Sequence, residues 1–238
     1  NKVNPFLYQN IDNSNHWIIS EIILNQCKQH PNNKIIQFVD GPEWSFDDLK
    51  NIAFEKAKTL RDLSINQGDT VTVMVDDPVD FIPYWVASSF LGVMFVALNT
   101  ALKGSVLLHQ IRLANSNVII VSDVYYEDVA QLVQENKSKI KVLNCSKLKS
   151  TGMILEKDVY HGKISDEVCT MFTSGTSGPS KGVLMPNAHC VLFAVGTIEN
   201  YKLNHDHVFY ISLPLFHANG LFMQLLACIM VGSKAIIK

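Results

Sequence analysis

Apolar positions along this chain follow two rhythms, a helical one near every third or fourth residue and short unbroken runs rich in β-branched residues. "NHWIISEIILNQCKQHP" (15–31) has Ile18, Ile19, Ile22, Ile23 and Cys27 at helical spacing. Ser14 or Asn15 is placed to cap that helix and Pro31 to follow its end. "KIIQFVDGPEWSF" (34–46) predicts a β-hairpin turning at Asp40-Gly41, and a helix is predicted from Asp47 to Leu63. From Gly68-Asp69 onward the pattern alternates. The strand "TVTVMVD" is followed by helix (79–91), strand (93–98), helix (104–115), strand (117–121), helix (125–136) and strand (139–143). Residues 145–166 are polar and irregular and read as a connection. "EVCTMF" (167–172) and "KGVLM" (181–185) read as strands, and Asn187 is expected to cap a helix reaching about Tyr201. "HVFYISLP" reads as a strand, 219–231 as an apolar helix and "KAIIK" as a strand.

Short β-rich runs separated by helices predict an α/β fold with a largely parallel sheet covered by helices. The expected organisation is a first subdomain over 68–200. Residues 1–67 with 201–238 are expected to form a second, incomplete α/β subdomain with its own sheet. "FIPYWVASSFLGVMFVAL" (81–98) is uncharged and reaches the length of a membrane span. Pro83, Ser88, Ser89 and Gly92 interrupt it, so it is predicted to be a buried helix followed by a buried strand.

Composition narrows the function. The 238 residues are 47% hydrophobic and 18% charged, with 20 basic and 22 acidic residues and a net charge of −2. No basic field is present to attract nucleic acid. The five cysteines (Cys27, Cys145, Cys169, Cys190 and Cys228) are scattered and include no CxxC pair. Neither a zinc site nor a disulfide framework is expected, and a reducing cytoplasm is the expected compartment. Cys169 and Cys190 read as inert core thiols. The opening "NKVNPFLYQN" holds no apolar run of the signal-peptide kind. Position 1 is not Met and "GSKAIIK" reads as a strand stopped at a lysine, so the chain is expected to be part of a longer protein.

The chemistry concentrates in "FTSGTSGPSKGV" (172–183), directly after a predicted strand. Thr173, Ser174, Thr176 and Ser177 bunch at its front, Gly175 and Gly178 punctuate them, and Lys181-Gly182 closes it. Hydroxyls and bare backbone N–H groups together form a concave donor surface suited to phosphate oxygens. A Walker A loop is excluded, because Ser180 stands where glycine is required and Gly182 where Ser or Thr would hold Mg²⁺. A GxSxG nucleophile elbow fails because Pro179 occupies its last glycine. The double-serine glycine pattern of a serine–lysine amidase is also missing.

"TSGTSGPSKG" resembles the phosphate loop of the adenylate-forming superfamily, whose usual form is TSGTTGxPKG. Ser177 replaces a Thr here, and the proline comes one place early as Pro179-Ser180. "SLPLFHANGL" (212–221) resembles that family's next motif, an LPxxH segment. The stretch from "WSFDDL" through "QGDTVTVMVDD" to "ALNTALKG" resembles its first half, with Ala97-Leu98-Asn99-Thr100 in place of PLNP. The family often has His where Asn187 stands. The resemblance covers roughly residues 16–238. It implies the N-terminal portion of an acyl-adenylate-forming enzyme of the AMP-forming acyl-CoA synthetase class, using ATP, Mg²⁺ and coenzyme A. The implied reaction joins a carboxylic acid to ATP and passes the acyl group to coenzyme A or a carrier-protein thiol.

The resemblance places Thr173, Ser174, Gly175, Thr176, Ser177, Gly178 and Lys181 at the phosphates, Thr176 at Mg²⁺, and His217 as a catalytic group beside the carboxylate. A buried core role for His217 stays open, as do a substrate-clearing or helix-packing role for Gly220 and core or acyl-pocket roles for Phe216 and the stripe Leu221, Phe222, Leu225 and Leu226. His205 and His207 read as a surface loop rather than a metal pair. Three family parts are not found: the loop ending in Thr-Glu, the ribose-binding Asp, and the small C-terminal domain with its lysine. The rest of the large domain and the C-terminal domain are therefore expected outside this chain, and residues 1–238 alone are expected to be inactive. Self-association through an exposed sheet edge, or a retained C-terminal fragment, is also expected. A carrier-loading adenylation domain and a non-catalytic nucleotide-binding module stay open as alternatives.

Overall fold

The computed structural model describes residues 4–173 and 179–238. In chain order its elements begin with α1 (Ile19–Gln29), β1 (Lys34–Phe38), β2 (Glu43–Ser45), α2 (Phe46–Asp62), β3 (Thr70–Met74), α3 (Pro78–Leu91) and β4 (Met94–Ala97). They continue with α4 (Gly104–Ala114), β5 (Val118–Val121), α5 (Asp123–Glu135), β6 (Lys141–Asn144), β7 (Glu167–Phe172) and β8 (Gly182–Pro186). The last are α6 (Asn187–Tyr201), β9 (Val208–Ile211), a π-helical run (Asn219–Leu226), α7 (Ala227–Val231) and β10 (Lys234–Ile237).

Two compact units result. One comprises residues 1–54, 161–167 and 186–238, and the other residues 55–160 and 168–185. The sequence reading placed the breaks at 68 and 200. The division falls instead inside α2 and just before α6, because α6 packs on α7 and the π-helical run of the first unit.

The second unit is built on a six-stranded sheet in the order β6-β5-β3-β4-β7-β8. The pairs β3–β4, β3–β5, β4–β7 and β5–β6 are parallel, with Val71 opposite Phe95 and Val96 opposite Thr170. Val73, Val96, Ile119, Ile120 and Cys169 are fully buried, which explains why these strands read as unbroken apolar runs rather than alternating ones. The uncharged stretch 81–98 forms a buried helix and strand, as its interrupting residues predict. Asp77 accepts a hydrogen bond from the Val79 N–H, and Pro78 opens α3. Gly92 ends it at φ 66°, where an added Cβ would meet the Tyr160 ring at 2.6 Å. Among the described residues, no helix is long and apolar enough to cross a membrane.

The first unit holds a four-stranded sheet in the order β2-β1-β10-β9. The β1–β2 hairpin turns at Asp40, which takes φ 58°. β10 lies parallel to both β1 and β9, with Ile36 opposite Ala235 and Ile236 opposite Tyr210. Two capping expectations are corrected. Ser14 and Asn15 form a short 3-10 turn, and α1 begins only at Ile19 with Ile18 before it. Asn187 does not cap α6, whose preceding residue Pro186 makes no side-chain cap. Instead the buried Asn187 Oδ1 accepts from the Ile19 N–H at 3.0 Å, while its Nδ2 donates to the Lys163 carbonyl at 3.0 Å. One side chain thus satisfies the first amide of α1 from 168 residues away. All five cysteines are buried and none forms a disulfide. Burial pushes the Cys27 and Cys228 thiols up to about 12, the Cys145 thiol to about 11, and the Cys169 thiol upward as well.

Candidate functional site

β7 runs between β4 and β8 and delivers Thr173 just past its carboxyl end, where ligands of open α/β sheets bind. The chain returns to β8 through Pro179, Ser180 and Lys181. Thr173 N–H donates to the Lys181 carbonyl at 3.0 Å, and the Thr173 hydroxyl lies 3.4 Å from the same oxygen. The two arms of the glycine and hydroxyl stretch are therefore tied at their base. Both side chains are exposed, and Lys181 forms no ion pair among the described residues. Ser180 is fixed from the opposite side by α4. His109 Nε2 lies 3.0 Å from its carbonyl oxygen, and Gln110 Nε2 donates to its hydroxyl at 3.0 Å. Ser174, Gly175, Thr176, Ser177 and Gly178, including the Mg²⁺ assignment on Thr176, lie outside the described residues. Among those described, no three His, Cys, Asp or Glu side chains converge on a metal position.

The second motif lies in the other unit. His217 is exposed, so the buried core role is excluded. Its ring rests against Phe216 at 4.6 Å, its N–H donates to the Pro214 carbonyl, and its own carbonyl accepts from Leu221 N–H. Gly220 makes this turn possible, since a Cβ there would sit 2.7 Å from the Pro214 oxygen and 2.9 Å from the Leu213 oxygen. The group it admits is thus the chain's own backbone, in place of the substrate or a packing helix. Behind it, Leu221, Phe222, Leu225 and Leu226 are fully buried in the core, while Phe216 is half-buried. The expected α-helix at 219–231 opens as a π-helical run, braced by Gln224 Nε2 donating to Asn219 Oδ1 five residues earlier. His207 Nδ1 accepts from Asn204 N–H and His205 pairs with Asp206 at 3.3 Å, so these residues form a turn.

Residues 23–238 match the family model described as AMP-binding enzyme. The chain belongs to this AMP-binding family. It is 28% identical over 212 residues to the 2-succinylbenzoate–CoA ligase of Oceanobacillus iheyensis, covering 88% of this chain and 42% of that protein. It is 25% identical over 213 residues to the 4-coumarate–CoA ligase of Vanilla planifolia, covering 82% of this chain and 38% of that protein. The AMP-binding fold is shared with O-succinylbenzoate coenzyme A synthetase from Bacillus subtilis in complex with AMP. That structure superposes with a TM-score of 0.81 at 22% identity over 91% of this chain and 55% of that one. The chain spans about two-fifths of the length of the curated relatives it matches.

Sequence reasoning read Asn187 of this AMP-binding chain as a helix cap, missing its bonds to Ile19 and Lys163, and did not single out His109 or Gln110. The first had a signal, an asparagine where the family often has histidine. The other two had only an indirect one, the serine displacing proline at position 180.

Proposed function

We propose that the protein is an AMP-forming acid–thiol ligase that makes an acyl-coenzyme A. The carboxylate oxygen of the acid attacks the α-phosphorus of ATP, and the bond to the bridging oxygen breaks. An acyl-adenylate forms and pyrophosphate leaves. The sulfur of coenzyme A then attacks the acyl carbon and AMP departs, the thiol proton passing to solvent. One observation carries this reading: Lys181, a cation without an ion pair among the described residues, stands at the carboxyl end of β7 on a backbone fixed to Thr173. Phosphoryl transfer of this kind is driven mainly by positioning and charge stabilisation. Lys181 and the hydroxyl stretch supply positive charge and donors for the β- and γ-phosphates. Magnesium, when bound with the nucleotide, adds neutralising charge, with the Thr176 hydroxyl as its assigned contact. His217 is assigned, from the motif that holds it, to orienting the carboxylate of the acid.

Coenzyme A is favoured over a carrier protein as acceptor because a 2-succinylbenzoate–CoA ligase and a 4-coumarate–CoA ligase are among the curated relatives. The cytoplasm is the proposed compartment, consistent with five buried cysteines outside any disulfide. Residues 1–238 alone are proposed not to complete the reaction, as they match only part of each relative. The β9 edge, with Val208 and Tyr210 more than half exposed, is the proposed site of self-association or of pairing with a further segment. The deciding experiment is ATP–pyrophosphate exchange by the full-length protein over a panel of aliphatic and aromatic acids, followed by coenzyme A or a carrier domain. Acid-dependent exchange with thioester formation is expected. Nucleotide binding without exchange under every acid would make the protein a non-catalytic binding module.

A further inference from the structure

Ser180 is gripped at two atoms by adjacent residues of one helix. A carbonyl oxygen only accepts, so His109 carries its proton on Nε2 and donates to it. Gln110 is 5% exposed, and its Oε1 has no partner among the described residues. A buried amide with one end unsatisfied carries a desolvation cost, which the bond from its Nε2 to the Ser180 hydroxyl only partly offsets. Across the strand, Thr173 N–H holds the carbonyl of the next residue, Lys181, at 3.0 Å. The Lys181 Cα is therefore flanked by two held peptides, the one before it bound to α4 through the Ser180 carbonyl and the one after it bound to Thr173 through its own carbonyl, while the Lys181 side chain is exposed. In the resembled form TSGTTGxPKG, position 180 would be proline, whose side chain cannot take the Gln110 bond.

We propose that His109 and Gln110 are positioning residues which, through Ser180, fix the backbone from which Lys181 reaches a polyphosphate anion. This rests on the phosphate-loop reading given above. Lysine is a point charge on a flexible stem, so its Cα is the only part the fold can aim. Charge stabilisation depends on donors being set in place before the reaction, and a serine clamp supplies here what a ring constraint at position 180 would supply otherwise.

The test uses the full-length protein and the variants Gln110→Leu, Ser180→Ala, Ser180→Thr, Lys181→Ala and Gln110→Leu/Lys181→Ala. ATP–pyrophosphate exchange gives KM and kcat, calorimetry with ATP gives Kd without turnover, and thermal melting reports folding. Losing one such bond is expected to raise KM and Kd for ATP about fivefold in Gln110→Leu and in Ser180→Ala. Ser180→Thr keeps the hydroxyl and is expected to bind ATP like the parent. With Lys181 already removed, Gln110→Leu is expected to add nothing to the loss. An undiminished extra loss in the Lys181→Ala background would overturn the proposal, since the clamp would then act elsewhere. A defective Lys181→Ala beside normal Gln110→Leu and Ser180→Ala would overturn the clamp and keep the phosphate site. Unchanged exchange and Kd in Lys181→Ala would remove both. If Gln110→Leu fails to fold, the Ser180→Ala and Ser180→Thr pair, with Ser180→Ala/Lys181→Ala, decides alone.

Discussion

Lys181 and Asn187 stand six residues apart in one motif-rich stretch, yet the fold uses them in opposite ways. Lys181 keeps its charged end in solvent while its backbone is fixed by Thr173 and, through Ser180, by α4. Asn187 is 3% exposed and commits both ends of its amide to the chain itself, one to Ile19 and one to Lys163. Under the proposed function a group kept for a ligand is left exposed on a rigid base, whereas Asn187, which serves the fold, is satisfied and buried. His217 likewise has an exposed ring, packed on Phe216, on a turn closed by Pro214 and Leu221.

The sharpest break of this comparison is Lys181→Ala, expected to lower ATP–pyrophosphate exchange about a hundredfold with melting nearly unchanged, as removal of one electrostatic donor does. A matching fall in melting temperature would instead give Lys181 a structural role. Asn187→Ala should invert that outcome. It strands the Ile19 N–H and the Lys163 carbonyl, and a loss of about 2 kcal/mol in urea unfolding is expected. His217→Ala is expected to slow acyl-adenylate formation about tenfold, with less effect on thioester formation from preformed adenylate. Single-turnover assays of the two half-reactions measure this, and equal losses would assign His217 to packing.

The smallest effect concerns Asp48, which closes a reciprocal cap at α2. Its carboxylate accepts from the Ser45 N–H at 2.7 Å and from the Ser45 hydroxyl at 2.8 Å, and its own N–H donates to the Ser45 oxygen at 3.1 Å. The Ser45 N–H and hydroxyl hold the carboxyl below its ordinary range against the opposing effect of burial, with Lys34 adding to the shift. The contribution is therefore complete above the unfolded carboxylate pKa and is lost as pH falls through the lower folded value. Asp48→Ala should be less stable than the parent at neutral pH, with the gap closing below about pH 4. Urea midpoints across that range check the sign, and a gap that widened in acid would refute it.

Much of this architecture was legible along the chain because it is local or repetitive. The alternation from β3 to β6 shows in short apolar runs spaced by helices, and the place of α3 in its missing charges and its closing Gly92. What was illegible depends on distant partners. The start of α1 is set by Asn187, and Ser180 is held by residues 70 and 71 positions earlier. The π-helical run was hidden for another reason: its apolar side chains are buried so continuously that no periodic polar face reveals the wider turn. At the candidate site the motif singled out Thr173 and Lys181. The tie between them, and the backbone reason for Gly220, required coordinates.

The parallel pairing of β1 with β10 has a consequence for synthesis on the ribosome. Ile36 waits for Ala235, and at roughly 5–20 residues per second that wait is on the order of 10–40 seconds. During it β2 can guard one side of β1, while the other side offers unpaired N–H and C=O groups to any passing strand. The six-stranded unit has all its strands by the time Pro186 emerges and can fold inside an unfinished host. Nascent chains halted before β10 should therefore bind chaperones or aggregate through β1, and emergence of β10 should end that exposure.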